Sequence, residues 1–405
     1  MSGVSIAHKR WAILIYACGN NDLAPEMAAI IADIAGLGET ENVHVALQIG
    51  RECCELVQIL RQSPPCPKPD DAWQGVRRYA FQDGNLAVVD DLGKANMAHP
   101  ETLKNFLLWG YQNFPAEKYM LVIGGHGYQF VGTVTDYSQN VPYIMGIPGM
   151  VEAIDQANRL TGKQLDLALF DTCYFNFVEV LYEFGAKPVP ATKNVVTYIG
   201  GGPIQGLSCR RIIAQADKLA QLEDGKAFTA ALTGKLGANL VAFEINHERL
   251  KKIKSLVNEI ACLYSESQPD KVNFQEILNQ GTTQIPWYNL LAELVVELNA
   301  LLICSGVQMS AKSLINIANQ PTTDLDKIKR YAKLSFAQTN HWTYLLSDRS
   351  VKIDSLGQDH HALLPQPLSP REVCSYISLM NPGFSLPQIR DTFIALAKYK
   401  RWIFD

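Results

Sequence analysis

Two reactive side chains follow short apolar runs that predict buried strands. His126 lies in the sequence GGHG directly after the run at 119–123, and Cys173 lies in DTC directly after the run at 165–170. Because the carboxyl ends of parallel strands meet at one edge of a sheet, we expect the imidazole and the thiol to lie close together. A thiolate that attacks a carbonyl carbon needs a nearby imidazole to give a proton to the leaving group. The pattern therefore predicts acyl transfer with Cys173 as the nucleophile.

The two motifs carry more weight together than either one alone. A histidine after a strand is more often structural, and a cysteine at a strand end usually belongs to the core. Here the order strand, GGHG, helix, strand, DTC, helix places both residues at strand ends, with room for one crossover helix between them. The backbone N–H groups of Gly127 and Cys173 are then candidate donors to the oxyanion that forms on a substrate carbonyl.

The elements around these motifs predict an α/β fold. Short apolar runs alternate with longer segments of helical period, which is typical of a mostly parallel sheet with helices on both faces. The predicted strands are 11–18, 43–49, 119–123, 165–170, 195–199 and 240–245, with 56–61 and 76–81 as a hairpin or extension. The predicted helices are 24–37, with Asn21 or Asp22 as its cap, and 100–114, 149–160, 175–184 and 248–264.

A change of pattern near residue 266 predicts a second region. We predict one domain over residues 1–265, followed by a mainly helical region over residues 266–405. The second region contains helix starts near residues 324, 369 and 385, and some strand at 341–348. Its residues show no pattern that carries chemistry.

Composition limits the classes of function. The chain has 405 residues, of which 47% are hydrophobic, and its formal net charge is -4 with a sequence pI of about 6.1. It lacks the basic excess that binding to a phosphate backbone requires, so we expect no nucleic-acid partner. No stretch of the sequence approaches the length of a membrane span.

The cysteines and the N-terminus indicate the compartment. The nine cysteines are scattered without a CxxC pair, which favours free thiols in a reducing compartment over a disulfide framework or a zinc ribbon. The basic residues 8–10 and the apolar run up to Cys18 resemble a lipoprotein signal. However, the run is short and Tyr16 stands where such a site has a small residue, so a buried strand is favoured. We predict a chain unprocessed at its N-terminus, cytoplasmic or exported without a classical signal peptide.

The sequence is similar to the clostripain family of cysteine peptidases over residues 10–265. GGHG resembles the histidine motif of that family, and FDTCYFNFVEVLYEF resembles its Asp-x-Cys motif and the helix after it. WAILIYACGNNDLAPEM is similar to the first strand, loop and helix, and TDYSQNVPYIMGIPGMVEAI to an acidic loop. The resemblance implies a caspase-like three-layer α/β/α sandwich and an endopeptidase with His126 and Cys173 as a dyad, acting on peptide or protein substrates.

The resemblance also indicates where a substrate would bind. Family members cleave after basic residues, chiefly Arg, and Asp171 matches one acidic position of their pocket. The alternative that Asp171 caps the helix after Cys173 stays open. Gln205 stands where the family has a second acid, and a carboxylate with a neutral amide holds a guanidinium less well than two carboxylates. Gly201 and Gly202 would let the substrate backbone approach the pocket wall.

No metal site is predicted. Some members of the clostripain family need calcium, but Asp136, Asp166 and the segment 205–225 form no clear calcium loop. His360 and His361 lack further ligands at helical spacing, so a solvated loop is favoured over a metal site. We therefore predict no cofactor, with calcium left open by the resemblance.

Two other functions stay open. Gln205, and Gln129 after the histidine motif, depart from the family pattern and would suit a catalytically altered caspase-like module that binds a partner protein. The third hypothesis is a different thiol acyltransferase or hydrolase with the same fold. Cys209 is interpreted as a buried structural thiol. The sequence predicts no oligomeric state.

Overall fold

The computed structural model describes most of the first 305 residues. The described ranges are 8–38, 40–61, 73–82, 84–128, 132–139, 143–176, 178–237, 239–266 and 288–305, with short pieces at 344–346 and 351–353. The helix starts predicted near 324, 369 and 385 lie outside the described residues, as do His360, His361 and Gln129.

The strands of these ranges form one large sheet and two small ones. They are β1 (Lys9–Gly19), β2 (Val43–Arg51), β3 (Gly75–Gln82), β4 (Asn85–Gly93), β5 (Ala116–Gly124), β6 (Gly127–Tyr128), β7 (Gly132–Asp136), β8 (Tyr143–Gly146), β9 (Leu165–Asp171), β10 (Thr192–Tyr198), β11 (Leu240–Glu244), β12 (Leu302–Ser305), β13 (Tyr344–Leu346) and β14 (Val351–Ile353). The large sheet has the order β12-β11-β10-β9-β5-β1-β2-β3-β4, and the small sheets are β6-β7-β8 and β13-β14.

The helices connect the strands and cover the large sheet. They are α1 (Ala24–Ala35), α2 (Cys54–Arg61), α3 (Pro100–Asn113), α4 (Ile147–Thr161), α5 (Val178–Phe184), α6 (Cys209–Leu219), α7 (Gly225–Leu236), α8 (His247–Glu266) and α9 (Tyr288–Leu301). Of the helices in the described ranges, none is long and apolar enough to cross a bilayer.

Five adjacent strands at the centre of the large sheet run parallel. They are β2, β1, β5, β9 and β10, whereas β3 and β4 extend one edge and β11 and β12 the other in antiparallel pairing. The predicted α/β class with a mostly parallel sheet is confirmed for the centre, and the antiparallel edges make the whole sheet mixed. The parallel centre brings the carboxyl ends of β1, β5 and β9 to the same edge.

The alternation of side chains in β1 shows why the fold has three layers. Leu14 and Tyr16 pack in one apolar cluster with α3, α4, α5 and α8, whereas Ile13 and Ile15 pack in a second cluster with α1, α6 and α7. Successive side chains of a strand point to opposite faces, so both faces of β1 are apolar and both are covered by helices. The structure is therefore an α/β/α sandwich, as predicted.

Two sequence predictions about local structure are wrong. The segment predicted as strand at 56–61 is helix α2, because its apolar residues recur with helical period and Leu56 and Val57 are buried on one face. The helix predicted from 175 begins at Val178 instead. Tyr174 takes a left-handed conformation with φ 56, which prevents the helix from starting next to Cys173.

Part of the second predicted region packs on the first. Strand β12 pairs with β11 at the edge of the large sheet, and Glu297 of α9 binds Arg249 and Lys252 of α8. Most of residues 266–405 lie outside the described ranges, and the division near residue 265 stays a prediction.

Candidate active site

The loops that carry His126 and Cys173 leave adjacent parallel strands and touch each other. Gly124 of β5 and Asp171 of β9 are in register, and each of the two reactive residues lies two positions beyond its partner of that pair. The N–H of Gly125 donates to the carbonyl of Asp171 over 3.4 Å. A β-carbon added to Gly127 would overlap the carbonyl oxygen of Cys173. The register therefore places the imidazole and the thiol on neighbouring loops at one edge of the sheet.

The backbone of His126 is held by strand β7. Its carbonyl accepts hydrogen bonds from the N–H of Val134 over 2.9 Å and from Oγ1 of Thr133 over 2.8 Å. Val134 is a buried β-branched residue with φ 54, a conformation that such residues rarely adopt. Strained backbone persists where the surrounding structure enforces it, and it is enriched at functional sites.

The imidazole of His126 contacts an acidic side chain that the sequence did not assign to the site. Its Nε2 lies 2.7 Å from Oδ1 of Asp22, in the loop between β1 and α1. Burial lowers the pKa of His126, but the charge and the hydrogen bond of Asp22 outweigh it, so the pKa is raised. The prediction that Asn21 or Asp22 caps α1 is wrong, because Leu23 is the N-cap residue and no side chain caps this end of the helix; Oδ1 of Asn21 accepts from the N–H of Leu23 in the loop before it. The position of Asp22 at the end of the strand next to β5 was the available signal.

The sulfur of Cys173 is contacted by the loop that follows β10. The N–H of Gly202 donates to Sγ of Cys173 over 3.3 Å, which stabilises negative charge on the sulfur. The same loop is tied to the residues after the cysteine, because the N–H of Tyr174 donates to the carbonyl of Gly200 and the N–H of Gly200 donates to Oδ1 of Asn176. Helix α5 begins only at Val178, so among the described contacts it is this amide that stabilises negative charge on the sulfur.

The carboxylate of Asp171 anchors the loop after β10. Its Oδ1 accepts from the hydroxyl of Tyr198 over 2.6 Å, and its Oδ2 accepts from the N–H of Leu207 over 2.9 Å. Asp171 therefore does not cap α5, and the cap interpretation is wrong. Burial raises the pKa of Asp171 to about 6, and these two hydrogen bonds hold it below the value that burial alone would give.

The tip of that loop, residues 203–206, is an exposed turn with no acidic residue. The N–H of Gly206 donates to the carbonyl of Pro203 over 2.9 Å, and Gly206 has φ 66. A β-carbon on Gly206 would overlap the carboxylate of Asp171, so only glycine lets the turn lie against it. Gln205 and Ile204 are exposed at the tip, and Gly201 is exposed beside Tyr174. The structure thus brings Asp171, Gly202 and Cys173 together and leaves Gln205 at the rim.

The residues weighed for calcium do not fit that ion. The carboxylate of Asp136 accepts from the N–H of Met97 and from the N–H and hydroxyl of Ser138, and burial raises its pKa to about 6. The carboxylate of Asp166 binds Nζ of Lys193 and the N–H of Tyr119. Their oxygens already accept from protein donors, whereas calcium needs six or more free oxygen ligands. Among the described residues, no three His, Cys, Asp or Glu side chains converge as metal ligands would.

The cysteines of the described ranges are free thiols, and one of them lies near the pocket loop. Cys18, Cys53, Cys54, Cys173, Cys209 and Cys304 form no disulfide with one another. Cys209 is buried at the start of α6, and burial raises the pKa of its thiol. This supports its interpretation as a structural thiol.

Replacing Gly127 by alanine is expected to lower kcat about 10²-fold, because the new β-carbon would push the carbonyl of Cys173 and misplace the thiol. The measurement is kcat and KM for a cleaved peptide, with thermal unfolding to confirm folding. Gly234→Ala is the matched control, since nothing lies within 4 Å of its added β-carbon. Unchanged kcat in Gly127→Ala would show that the two loops do not pack as described.

Comparison with known families decides the relationship. The model of the clostripain family matches residues 82–286, slightly more than half of the chain, and this range includes both reactive residues. The chain belongs to the clostripain family. It is a cysteine-type peptidase, and its substrates are peptides or proteins. A comparison with curated proteins gives no match.

Solved structures of other C11 proteases resemble this clostripain-family chain. A secreted C11 cysteine protease from Bacteroides thetaiotaomicron in complex with an irreversible peptide inhibitor is 14% identical, with 73% of this chain and 83% of that chain covered and a TM-score of 0.48. A second structure of a secreted C11 cysteine protease from the same organism, called iotapain, is 12% identical, with 73% of this chain and 86% of that chain covered and a TM-score of 0.49. An inactive zymogen C11 protease from Parabacteroides distasonis is 15% identical, with 74% of this chain and 84% of that chain covered and a TM-score of 0.49.

Proposed function

We propose that this clostripain-family peptidase is an endopeptidase that cleaves through a thioester on Cys173, with His126 as the proton-transfer partner. The observation that carries the proposal is the register of Gly124 with Asp171. Because these two residues are paired, both reactive loops begin side by side at the same edge of the sheet. The strained residues Val134 and Tyr174, with φ 54 and 56, support it because Val134 binds the backbone of His126 and Tyr174 directly follows Cys173.

The proposed reaction has two halves. In the first, the thiolate of Cys173 attacks the scissile carbonyl carbon, and His126 gives a proton to the departing amine as the tetrahedral intermediate collapses to the thioester. In the second, His126 takes a proton from a water molecule as that water attacks the thioester; the C–S bond breaks, the acid product leaves, and the thiolate of Cys173 and protonated His126 are regenerated. The N–H groups of Cys173 and Gly127 would hold the oxyanion. No described residue accepts a hydrogen bond from the N–H of Cys173, so this donor is available to a substrate.

We propose a preference for a basic residue before the scissile bond, and this proposal rests on a single carboxylate, that of Asp171. Its charge lies beneath the loop that carries Gly202 and Gln205, and no acidic residue stands at the loop tip. We therefore expect a weaker preference for Arg than two carboxylates would give.

The preference for a basic residue is expected to depend on pH. Asp171 has a pKa of about 6, so its carboxyl is neutral below that pH and charged above it. The ratio of kcat/KM for an Arg peptide to kcat/KM for its citrulline isostere should therefore rise as pH increases from 5 to 7. Taking the ratio cancels the titration of the dyad, which both substrates share. A ratio that does not change with pH would show that Asp171 takes no part in substrate recognition.

A panel of fluorogenic peptides varied at the residue before the scissile bond tests the proposed function as a whole. Cleavage of at least one class, with the acyl group trapped on Cys173 by acid quench and found by peptide mapping, is the expected result. Failure to cleave any member would favour the alternative, a caspase-like module that binds a partner protein, which the exposed Gln205 motivates.

The compartment and the cofactor stay proposals. The free thiols of the described ranges support a reducing compartment, and we propose a cytoplasmic chain, with export as the alternative. We propose that catalysis needs no bound cofactor, since each step above uses a side chain or backbone group of the chain itself.

A further inference from the structure

The loop after β1 brings a carboxylate to the imidazole of the proposed dyad. β1 and β5 are adjacent parallel strands with Ala17 in register with Gly124, so their loops leave the sheet side by side. Oδ1 of Asp22 then lies 2.7 Å from Nε2 of His126, a short hydrogen-bond distance. The two side chains are only 27% and 31% exposed, so their interaction is less screened by water than that of a surface ion pair.

The loop of Asp22 is fixed by hydrogen bonds to the strand that also holds His126. Nδ2 of Asn21 donates to the carbonyl of Thr135 in β7 over 2.9 Å, and Oδ1 of Asn21 accepts from the N–H of Leu23 over 2.8 Å. The preceding residue of β7, Val134, donates to the carbonyl of His126. One strand therefore sets the position of both the carboxylate and the imidazole, which is the arrangement that a preorganised site requires.

We propose that Asp22 is a positioning residue that accepts a hydrogen bond from Nε2–H of His126, so that Nδ1 is the nitrogen that exchanges protons with the substrate and Cys173. The proposal rests on the proposed function and adds a third member to the dyad. An ionised carboxylate only accepts hydrogen bonds, so it selects the tautomer with its proton on Nε2 and the lone pair on Nδ1. When Nδ1 takes a proton, the carboxylate also stabilises the imidazolium.

The charged groups around the imidazole determine the expected pH dependence. Asp22, Arg61 of α2 and Glu26 of α1 act on His126 in addition to burial, and Arg61 and Glu26 are themselves paired over 2.5 Å. Asp22 outweighs both burial and Arg61 and raises the pKa of His126. A raised pKa keeps the imidazolium, the proton donor to the leaving amine, populated at higher pH. Asp22 therefore extends the alkaline limb of the kcat/KM profile to higher pH.

Replacing Asp22 by asparagine in the full chain removes the charge while keeping the size of the side chain. The expected result is a loss in kcat of about 10²-fold with little change in KM, and an alkaline limb of kcat/KM that moves to lower pH. The matched control is Asp91→Asn, which removes the same charge from exposed β4 next to Arg77 and should change neither quantity. If Asp22→Asn changes neither kcat nor the pH at which kcat/KM falls on the alkaline side, the proposal is overturned.

Nuclear magnetic resonance of the imidazole nitrogens tests the tautomer directly, first with Asp22 in place and then with Asp22→Asn. In a Cys173→Ala chain, which cannot turn over substrate, neutral His126 should carry its proton on Nε2, and adding Asp22→Asn should lower its titration midpoint. A proton on Nδ1 would contradict the proposal even if the dyad is correct. Conversely, full activity of a His126→Ala variant would show that His126 forms no catalytic dyad with Cys173, whichever tautomer it adopts.

Discussion

Replacing Cys173 by alanine is expected to lower kcat/KM for peptide hydrolysis by about 10⁴-fold or more, because no other group could form the acyl-enzyme. The side chain is partly exposed, and its described hydrogen bond is the one from Gly202. Its loss should therefore disturb folding little. The measurement is steady-state hydrolysis of a cleaved peptide, together with thermal unfolding of both chains.

Labelling by iodoacetamide at low concentration gives the control for that variant. Cys173 should react first in the unmodified chain, and the fast phase should disappear in Cys173→Ala. Cys304→Ser is the matched control, because Cys304 lies in edge strand β12, away from the reactive loops, and its change should preserve both hydrolysis and fast labelling. Hydrolysis that survives in Cys173→Ala would assign the nucleophile to another residue.

Replacing His126 by alanine is expected to lower kcat for amide substrates by about 10³-fold, since the departing amine loses its proton donor. An activated ester should lose far less, because its leaving group departs without protonation. The difference between the amide and the ester separates proton transfer from a general disturbance of the site. Both rates are measured on the same preparation.

The control for His126→Ala is a histidine outside the reactive loops. His247 lies at the start of α8, where its Nδ1 pairs with the carbonyl of Gly185 over 2.7 Å, so His247→Gln should leave both rates unchanged. Equal losses for the amide and the ester in His126→Ala would mean that the imidazole has a structural role. That result would leave Cys173 as the nucleophile but would require another proton donor.

The central part of the fold was predictable because its signals are local. The apolar runs at 119–123 and 165–170 lie within β5 and β9, and the reactive residues follow them directly. A strand covered on both faces is apolar throughout, so its sequence shows both its presence and its end. The place of His126 and Cys173 at one edge followed from these two strands and from the general geometry of parallel sheets.

The edges of the sheet were less predictable because their residues are exposed. Strand β4 contains Asp90 and Asp91 and is mostly solvent-exposed, and its apolar run at 86–89 is too short to mark a strand by itself. The segment at 56–61 is short, and its apolar residues fit a helix as well as a strand. Helix α6 carries Arg210, Arg211 and Lys218 on its outer face and was not recognised. In each case the apolar pattern is short or interrupted by exposed charged residues, so the local signal in the sequence is weak.

The contacts around the two reactive side chains could not be read from the sequence. Asp22 was considered, like Asn21, only as a cap of the following helix, since Asp and Asn before a helix usually have that role. Its contact with His126 depends on the order of β1 and β5 in the sheet. Likewise, Asp171 anchors the loop after β10 through Tyr198 and Leu207, two partners that lie far from it in the chain.

The most direct test of the site is a crystal structure of the chain with a peptide-based covalent inhibitor. The bond should form at Sγ of Cys173, the inhibitor oxygen should accept from the N–H groups of Cys173 and Gly127, and Nδ1 of His126 should lie about 3 Å from the position of the leaving amine. An adduct on another cysteine, or an imidazole turned away from the bound peptide, would contradict the account.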